Sequence, residues 1–242
     1  MKQTLTTIAL SPLLLAQGIA TRRNTPVLPE PPGARKGTTG NGPALRLLVL
    51  GDSAAAGVGA PHQDRALLGQ LVSKLSAQHR VEWQLFARTG HKTVDTLARL
   101  ETIDAGPFDT AVTSLGVNDV VGLVGRRRWR AQQACLRELL RNKFDVSRIV
   151  ISGLPPIHGF PALPQPLRRH VGARATQFDS DLRADVSKEL DCRFVSLRFT
   201  ENVTLMAADG FHPGPEIYSE WARRVANQIL DGANDDENLQ PA

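Results

Sequence analysis

Leu48-Val49-Leu50-Gly51-Asp52-Ser53 is the stretch that decides the fold: an apolar run that stops abruptly at a loop of small residues. The run begins at Ala44 and has the length and character of a buried strand. A serine at the end of such a strand can be a nucleophile if a base and an oxyanion hole reach it. Downstream, short apolar runs keep alternating with longer amphipathic stretches. Strands are expected over Ala44–Leu50, Val81–Phe86, Asp109–Leu115, Arg148–Ser152 and Arg193–Leu197. Helices are expected over Arg65–His79, Thr93–Glu101, Trp129–Asn142, Gly172–Leu190 and Ile217–Leu230. This alternation predicts an α/β fold, a mostly parallel five-stranded sheet covered by helices on both faces. Reactive groups in such sheets gather in loops at the carboxyl ends of the strands. Ser53, Gly90 and Asn118 each follow a predicted strand by a few residues.

The chain of 242 residues is long enough for one domain with a full core and short for two. A composition of 41% hydrophobic and 22% charged residues excludes collagenous, coiled-coil and wholly disordered classes. The net charge of +5 favours anionic surroundings, such as phosphate-rich lipid faces or acidic glycans, and no nucleic-acid partner is expected. Cys135 and Cys192 match no zinc spacing and read as two thiols, with a disulfide between them left open. Residues 1–20 form an apolar segment, signal-like or anchoring, but Arg22 and Arg23 follow at once, which opposes export. The expectation is a protein of the cell envelope, with membrane association through this segment as one alternative and a cytoplasmic location as another. Residues 21–42, rich in Pro, Gly and Arg, read as a linker or wrapping arm. The folded domain is expected over 43–230, and 231–242 is an acidic tail expected to fray.

The chemistry rests on four pieces in order. A serine hydroxyl is a poor nucleophile until a neighbouring base takes its proton. Asp209-Gly210-Phe211-His212 offers an imidazole, with a carboxylate three residues earlier to fix its tautomer. Gly116-Val117-Asn118-Asp119 offers a side-chain amide, and Gly90 a backbone N–H with no side chain in the way. With the backbone N–H of Ser53, these would make an oxyanion hole. Each piece alone has an ordinary reading as a turn or a helix cap. Their joint occurrence in this order favours catalysis.

At these residues the chain resembles the SGNH (GDSL-type) hydrolase family, whose four blocks stand here as Gly51-Asp52-Ser53, Gly90, Gly116-Val117-Asn118-Asp119 and Asp209-Gly210-Phe211-His212. The resemblance spans about Leu47 to Pro213. It implies a flavodoxin-like three-layer α/β/α fold and ester or thioester hydrolysis through an acyl-enzyme. It further implies Ser53 as nucleophile, His212 as base, Asp209 as its orienter, and Ser53, Gly90 and Asn118 as the oxyanion hole. No metal or organic cofactor is implied. One departure is Ala54, where the family commonly has leucine; it spares the triad but weakens any transfer of substrate preference from lipase-like members. The G-x-S-x-G elbow of α/β-hydrolases does not fit, because Ala55 stands where its second glycine belongs.

The expected substrate is a small-molecule carboxylic ester with a small acyl group. Sugar deacetylases, thioesterases, lysophospholipases and acyl transferases share the same triad, and a non-catalytic envelope binding module is the competing class. Oligomeric state is not legible. Gly57-Val58-Gly59 lacks a third glycine for a dinucleotide site. Arg126-Arg127-Arg128-Trp129-Arg130 reads as a solvated helix start before a phosphate or lipid site. The proline-rich loop from Pro155 to Arg169 is expected to form one wall of the substrate pocket.

Overall fold

A computed structural model describes the backbone of residues 2–104, 106–198 and 202–237, with side chains described between residues 10 and 231. In chain order the elements are α1 (Lys2–Asn24), β1 (Lys36–Thr39), β2 (Ala44–Gly51), α2 (Ser53–Ala56), α3 (Leu67–Leu75), β3 (Arg80–Ala87) and α4 (Thr93–Thr102). There follow β4 (Thr110–Ser114), α5 (Val117–Val121), α6 (Arg126–Phe144), β5 (Arg148–Ser152), α7 (Leu167–Val186), β6 (Cys192–Val195) and α8 (Pro215–Glu237). The end of the acidic tail, beyond residue 237, lies outside the described residues.

The sheet has six strands in the order β1-β3-β2-β4-β5-β6, one more than the five expected. The five expected strands are present and parallel, from Ala44 paired with Arg80 to Ser152 paired with Val195. The sixth is β1, which pairs antiparallel with β3 from Lys36↔Gln84 to Thr39↔Val81. Its residues, Lys-Gly-Thr-Thr, are all exposed and carry no apolar alternation, so pattern reading passes over them. Main-chain pairing at the edge of β3 is what makes this segment a strand.

The sequence of β2 explains the three layers. Its residues from Leu47 to Gly51 are all buried, because helices cover both faces of the sheet. Alternate side chains point to opposite faces. Leu47 and Val49 join one core with Leu68 and Leu71 of α3 and Tyr218, Trp221 and Val225 of α8. Leu48 and Leu50 join a second core with Leu100 of α4, Trp129 and Leu136 of α6, and Phe178 and Leu182 of α7. There Trp129 and Phe178 pack with ring centroids 4.5 Å apart.

From β2 the chain crosses to β3 on one side of the sheet, then passes back over β2 to β4 on the other. This reversal leaves a crevice outside the carboxyl ends of β2 and β4, the place where ligands bind in open α/β sheets. Ser53 lies two residues after β2 and Asn118 four residues after β4.

The expected helices are all present, with shifted ends. α7 begins five residues earlier than expected, because Leu167 and Val171 are buried in the second core. The basic run forms the first turns of α6. Arg126 and Arg130 make bidentate pairs with Asp181 and Asp185 of α7, the second at 2.6 and 2.8 Å. Solvent screens such exposed pairs, so they add little to stability. Cys135 and Cys192 are free thiols, and burial is the first cause that pushes Cys192 up to about 12. The N-terminal segment is helical and docks on the start of α7. Gln17 donates to the Gln165 carbonyl at 2.7 Å and accepts from Leu167 N–H at 3.1 Å. Among the described residues no helix is long and apolar enough to cross a membrane.

Candidate active site

The turn that carries Ser53 begins where β2 ends. Gly51 is required there by close approach, since a Cβ would stand 2.3 Å from the Ser114 carbonyl oxygen. Asp52 N–H donates to that same oxygen at 3.2 Å, stitching the ends of β2 and β4 together. The Asp52 carboxylate then caps α2 by accepting from Ala54 N–H at 3.1 Å. Ser53 is the first residue of that short helix and is buried to 9% exposure.

The imidazole arrives on a closed loop between Met206 and Pro213, which bridge to each other. Asp209 performs two tasks with its two oxygens. Oδ1 accepts from the backbone N–H groups of Phe211 and His212, each at 3.0 Å, and so shapes the turn. Oδ2 lies 2.5 Å from His212 Nδ1. On the far side of the ring, His212 Nε2 lies 2.8 Å from Ser53 Oγ. Burial alone would raise the Asp209 carboxyl, but the bonds from the His212 ring, His212 N–H and Phe211 N–H outweigh it and hold it below the ordinary carboxylate range. Helix α8, which follows this loop, is tied to the segment after α2 and to the end of β5. Tyr218 donates to the Val58 carbonyl at 2.6 Å, and Trp221 Nε1 donates to Ser152 Oγ at 2.9 Å.

Asn118 lies in α5, whose neighbours hold it from two sides. The fully buried Asp119 accepts from Thr93 N–H at 3.1 Å and from the Thr93 hydroxyl at 2.9 Å, tying α5 to the start of α4. Arg174 of α7 donates to the carbonyls of Val120 and Val124 while covering the Phe178 ring. Asn118 Nδ2 donates to Asp52 Oδ2 at 3.3 Å and to the His91 carbonyl at 3.0 Å. Gly90 sits one residue before His91, in the turn after β3, with φ +83°.

Ser53, Asn118 and His212 line one cavity of about 50 Å³, together with Asp52. Its walls are mostly apolar and include Leu115, Leu154, Phe160, Met206 and Phe211. Pro155 and Phe160 belong to the proline-rich loop expected to form a wall, and Phe160 packs edge-on against Phe211 at 5.2 Å. The structure thus brings Ser53, Asp209, His212 and Asn118 together. Gly90 is not among the cavity's lining residues and reaches the group through its neighbour His91.

Sequence reading left Asp52 without a role. Its position between Gly51 and Ser53 was visible, but its burial and its contact with Asn118, 66 residues away, were not. Burial, the largest cause, raises its carboxyl to about 7; the Ala54 N–H and His212 pull it down and Asp119 adds to the rise. This lies above the unfolded value of about 3.9, so the folded state holds the proton more tightly. Stability therefore falls as pH rises from about 4 to about 7. Asp52→Asn is expected to remove that slope, so that its melting temperature relative to wild type is higher at pH 8 than at pH 5. A difference that does not change with pH would show that the carboxyl is ionised throughout.

The model of the GDSL-like Lipase/Acylhydrolase family matches residues 49–219. No curated relative matches the chain. Among solved structures, a lipolytic G-D-S-L family protein from Veillonella parvula is similar over 77% of this chain and 96% of its own, at 15% identity and a TM-score of 0.58. A carbohydrate esterase family 3 protein from Talaromyces cellulolyticus is similar over 79% of this chain and 99% of its own, at 14% identity and a TM-score of 0.58. A Geobacillus acetyl-xylooligosaccharide esterase is similar over 78% of this chain and 95% of its own, at 19% identity and a TM-score of 0.55. At such identities these likenesses show the shared fold. The family match runs from the middle of β2 into the start of α8 and contains every residue brought together in the crevice, and by it the chain belongs to the GDSL-like lipase/acylhydrolase family of ester-hydrolysing enzymes.

Proposed function

We propose that the protein hydrolyses carboxylic esters of small acyl groups through an acyl-enzyme on Ser53. The observation that carries this reading is the unbroken line from Asp209 Oδ2 to His212 to Ser53 Oγ, with spacings of 2.5 and 2.8 Å, opening into an apolar cavity of about 50 Å³. His212 Nε2 takes the proton of Ser53 Oγ as that oxygen attacks the ester carbonyl carbon. The carbonyl π electrons move onto oxygen, giving a tetrahedral intermediate. The imidazolium then protonates the departing alkoxide, and the C–O bond breaks to leave acyl-Ser53 and an alcohol. Water repeats the sequence with His212 as base, releasing the acid and restoring the serine.

The oxyanion is assigned to the backbone N–H of Ser53 and the amide of Asn118, which line the cavity, and, by the family resemblance, to the N–H of Gly90 in the turn that also holds Asn118 through His91. Both Asn118 hydrogens are already directed at acceptors, so the oxyanion must share one of them. The longer contact, to Asp52 at 3.3 Å, faces the cavity, since Asp52 lines it and His91 does not. That is the hydrogen offered to the developing charge.

Small acyl groups are favoured by the size of the cavity, and the carbohydrate acetyl esterases among its structural neighbours make an acetylated sugar one natural substrate of this kind. Turnover of p-nitrophenyl esters from acetate to palmitate tests the reading. Activity is expected to be greatest for acetate to butyrate and to fall about tenfold or more by octanoate, because each added methylene must find space the cavity lacks. A profile that rises toward palmitate would sink the small-acyl assignment. No turnover on any ester, from folded protein that also resists a fluorophosphonate, would sink the enzyme reading for these substrates.

A further inference from the structure

The arm between α1 and β2 lies before the family domain, which begins at residue 49. It nevertheless reaches the active-site face. The Glu30 carboxylate accepts from both Thr89 N–H and the Thr89 hydroxyl, each at 2.8 Å, through the same oxygen. Its other oxygen accepts from Arg35 at 2.9 Å. Arg35 also donates to the Ala87 carbonyl, and its own carbonyl accepts from Leu85 N–H at 2.7 Å. The arm is therefore tied to β3 and to the turn after it at several separate atoms. Burial would raise Glu30, yet the two Thr89 bonds and Arg35 outweigh it and hold it below the ordinary carboxylate range.

Thr89 immediately precedes Gly90. The turn Arg88-Thr89-Gly90-His91 is closed by His91 N–H donating to the Arg88 carbonyl at 3.2 Å, with positive φ at its third residue. That is the arrangement of a type II turn, whose alternative, type I, differs by a flip of the central peptide. Here the central peptide is Thr89–Gly90, and the flip would reverse the Gly90 N–H. Among the described residues no atom lies within 4 Å of where a Gly90 Cβ would stand, so the turn is open on that side.

We propose that Glu30, braced by Arg35, is a positioning residue that anchors Thr89 at the entry to this turn and so places the turn that carries the Gly90 N–H of the oxyanion hole. This rests on the assignment of Gly90 N–H to that hole. An element outside the family domain thus completes the geometry of the site, and the chain from Glu30 onward belongs to the functional unit. The same turn carries His91, whose carbonyl holds Asn118, so the clamp reaches two of the three assigned donors.

The test uses the full chain as wild type, Glu30→Ala, Glu30→Gln and Thr89→Val. It measures kcat and KM on p-nitrophenyl acetate, affinity for a small alkylboronic acid that forms a tetrahedral adduct on Ser53, and melting temperature. Glu30→Ala is expected to lower kcat about tenfold, less than the hundredfold or more of losing a donor outright. KM should stay within about twofold, and boronate affinity should fall by the same factor as kcat/KM. Glu30→Gln keeps an acceptor oxygen for Thr89 and should recover most of the loss. Thr89→Val, which removes only the hydroxyl, should lower kcat about threefold while keeping the fold. Unchanged kcat in both Glu30→Ala and Thr89→Val, with a lowered melting temperature, would show a merely structural clamp and overturn the proposal. So would loss of kcat without loss of boronate affinity. If the wild type itself shows no Ser53-dependent turnover, the assignment of the site falls, and the clamp's role falls with it.

Discussion

Replacing Ser53 by alanine is expected to lower kcat on p-nitrophenyl acetate by about four to six orders of magnitude, leaving only what binding and the oxyanion donors supply. The size follows from geometry. Ser53 Oγ is 2.8 Å from His212 Nε2, and no other hydroxyl is hydrogen-bonded to that nitrogen among the described residues. Alanine removes the attacking atom and leaves the turn intact, because the structural bonds there belong to Asp52 and to backbone groups. The fold should persist, and the melting temperature should change by little. His212→Ala should cost nearly as much, and the double variant little more than either alone, since the two residues act as one unit. Steady-state rates combined with titration of the acyl-enzyme measure this. A loss below about tenfold for Ser53→Ala would place the nucleophile elsewhere.

Asp209→Asn is expected to lower kcat by about 10⁴-fold while changing KM little. Asparagine is nearly isosteric, and its carbonyl oxygen can still accept from Phe211 and His212 N–H, the two bonds that shape the loop. The amide nitrogen then faces His212 Nδ1, where Oδ2 stood at 2.5 Å. A donor at that place favours the tautomer with its proton on Nε2, which cannot accept from Ser53. The turn survives and the base is lost. The depressed Asp209 carboxyl adds a second signature. Its folded value lies below the unfolded one, so its contribution to stability is present above about pH 4 and is lost as pH falls through the folded value. The variant should lack that acid-side loss. Retention of more than a tenth of wild-type kcat would mean that another group orients the imidazole.

What could be read from the chain alone follows its periodicity. The runs at Ala44–Gly51 and Arg148–Ser152 are buried on both faces and announce themselves as continuous apolar stretches. β1 does not, because Lys36 to Thr39 is held by backbone pairing and its side chains are all exposed. The start of α7 is hidden in the pattern because Pro164 and Pro166 break it just before a buried face begins at Leu167. Ser53, Asp209, His212 and Asn118 were legible because each sits in a short motif of unusual residues. Asp52, Thr89 and Glu30 were not, because their partners are separated from them by 66 and 59 residues.

The sequence by itself determined the parallel sheet with helices on both faces, since alternating apolar runs and amphipathic stretches can bury their surfaces in few other ways. It also determined the residue types available at the strand ends. Only the tertiary structure decided that His212 meets Ser53 across 159 residues of chain. It alone decided that both hydrogens of the Asn118 amide are already engaged, and that an arm outside the domain holds the turn carrying Gly90. Local pattern reports what a segment can bury. Hydrogen bonds between distant loops depend on how close the fold brings them, and that is set by the reversal of strand order around β2.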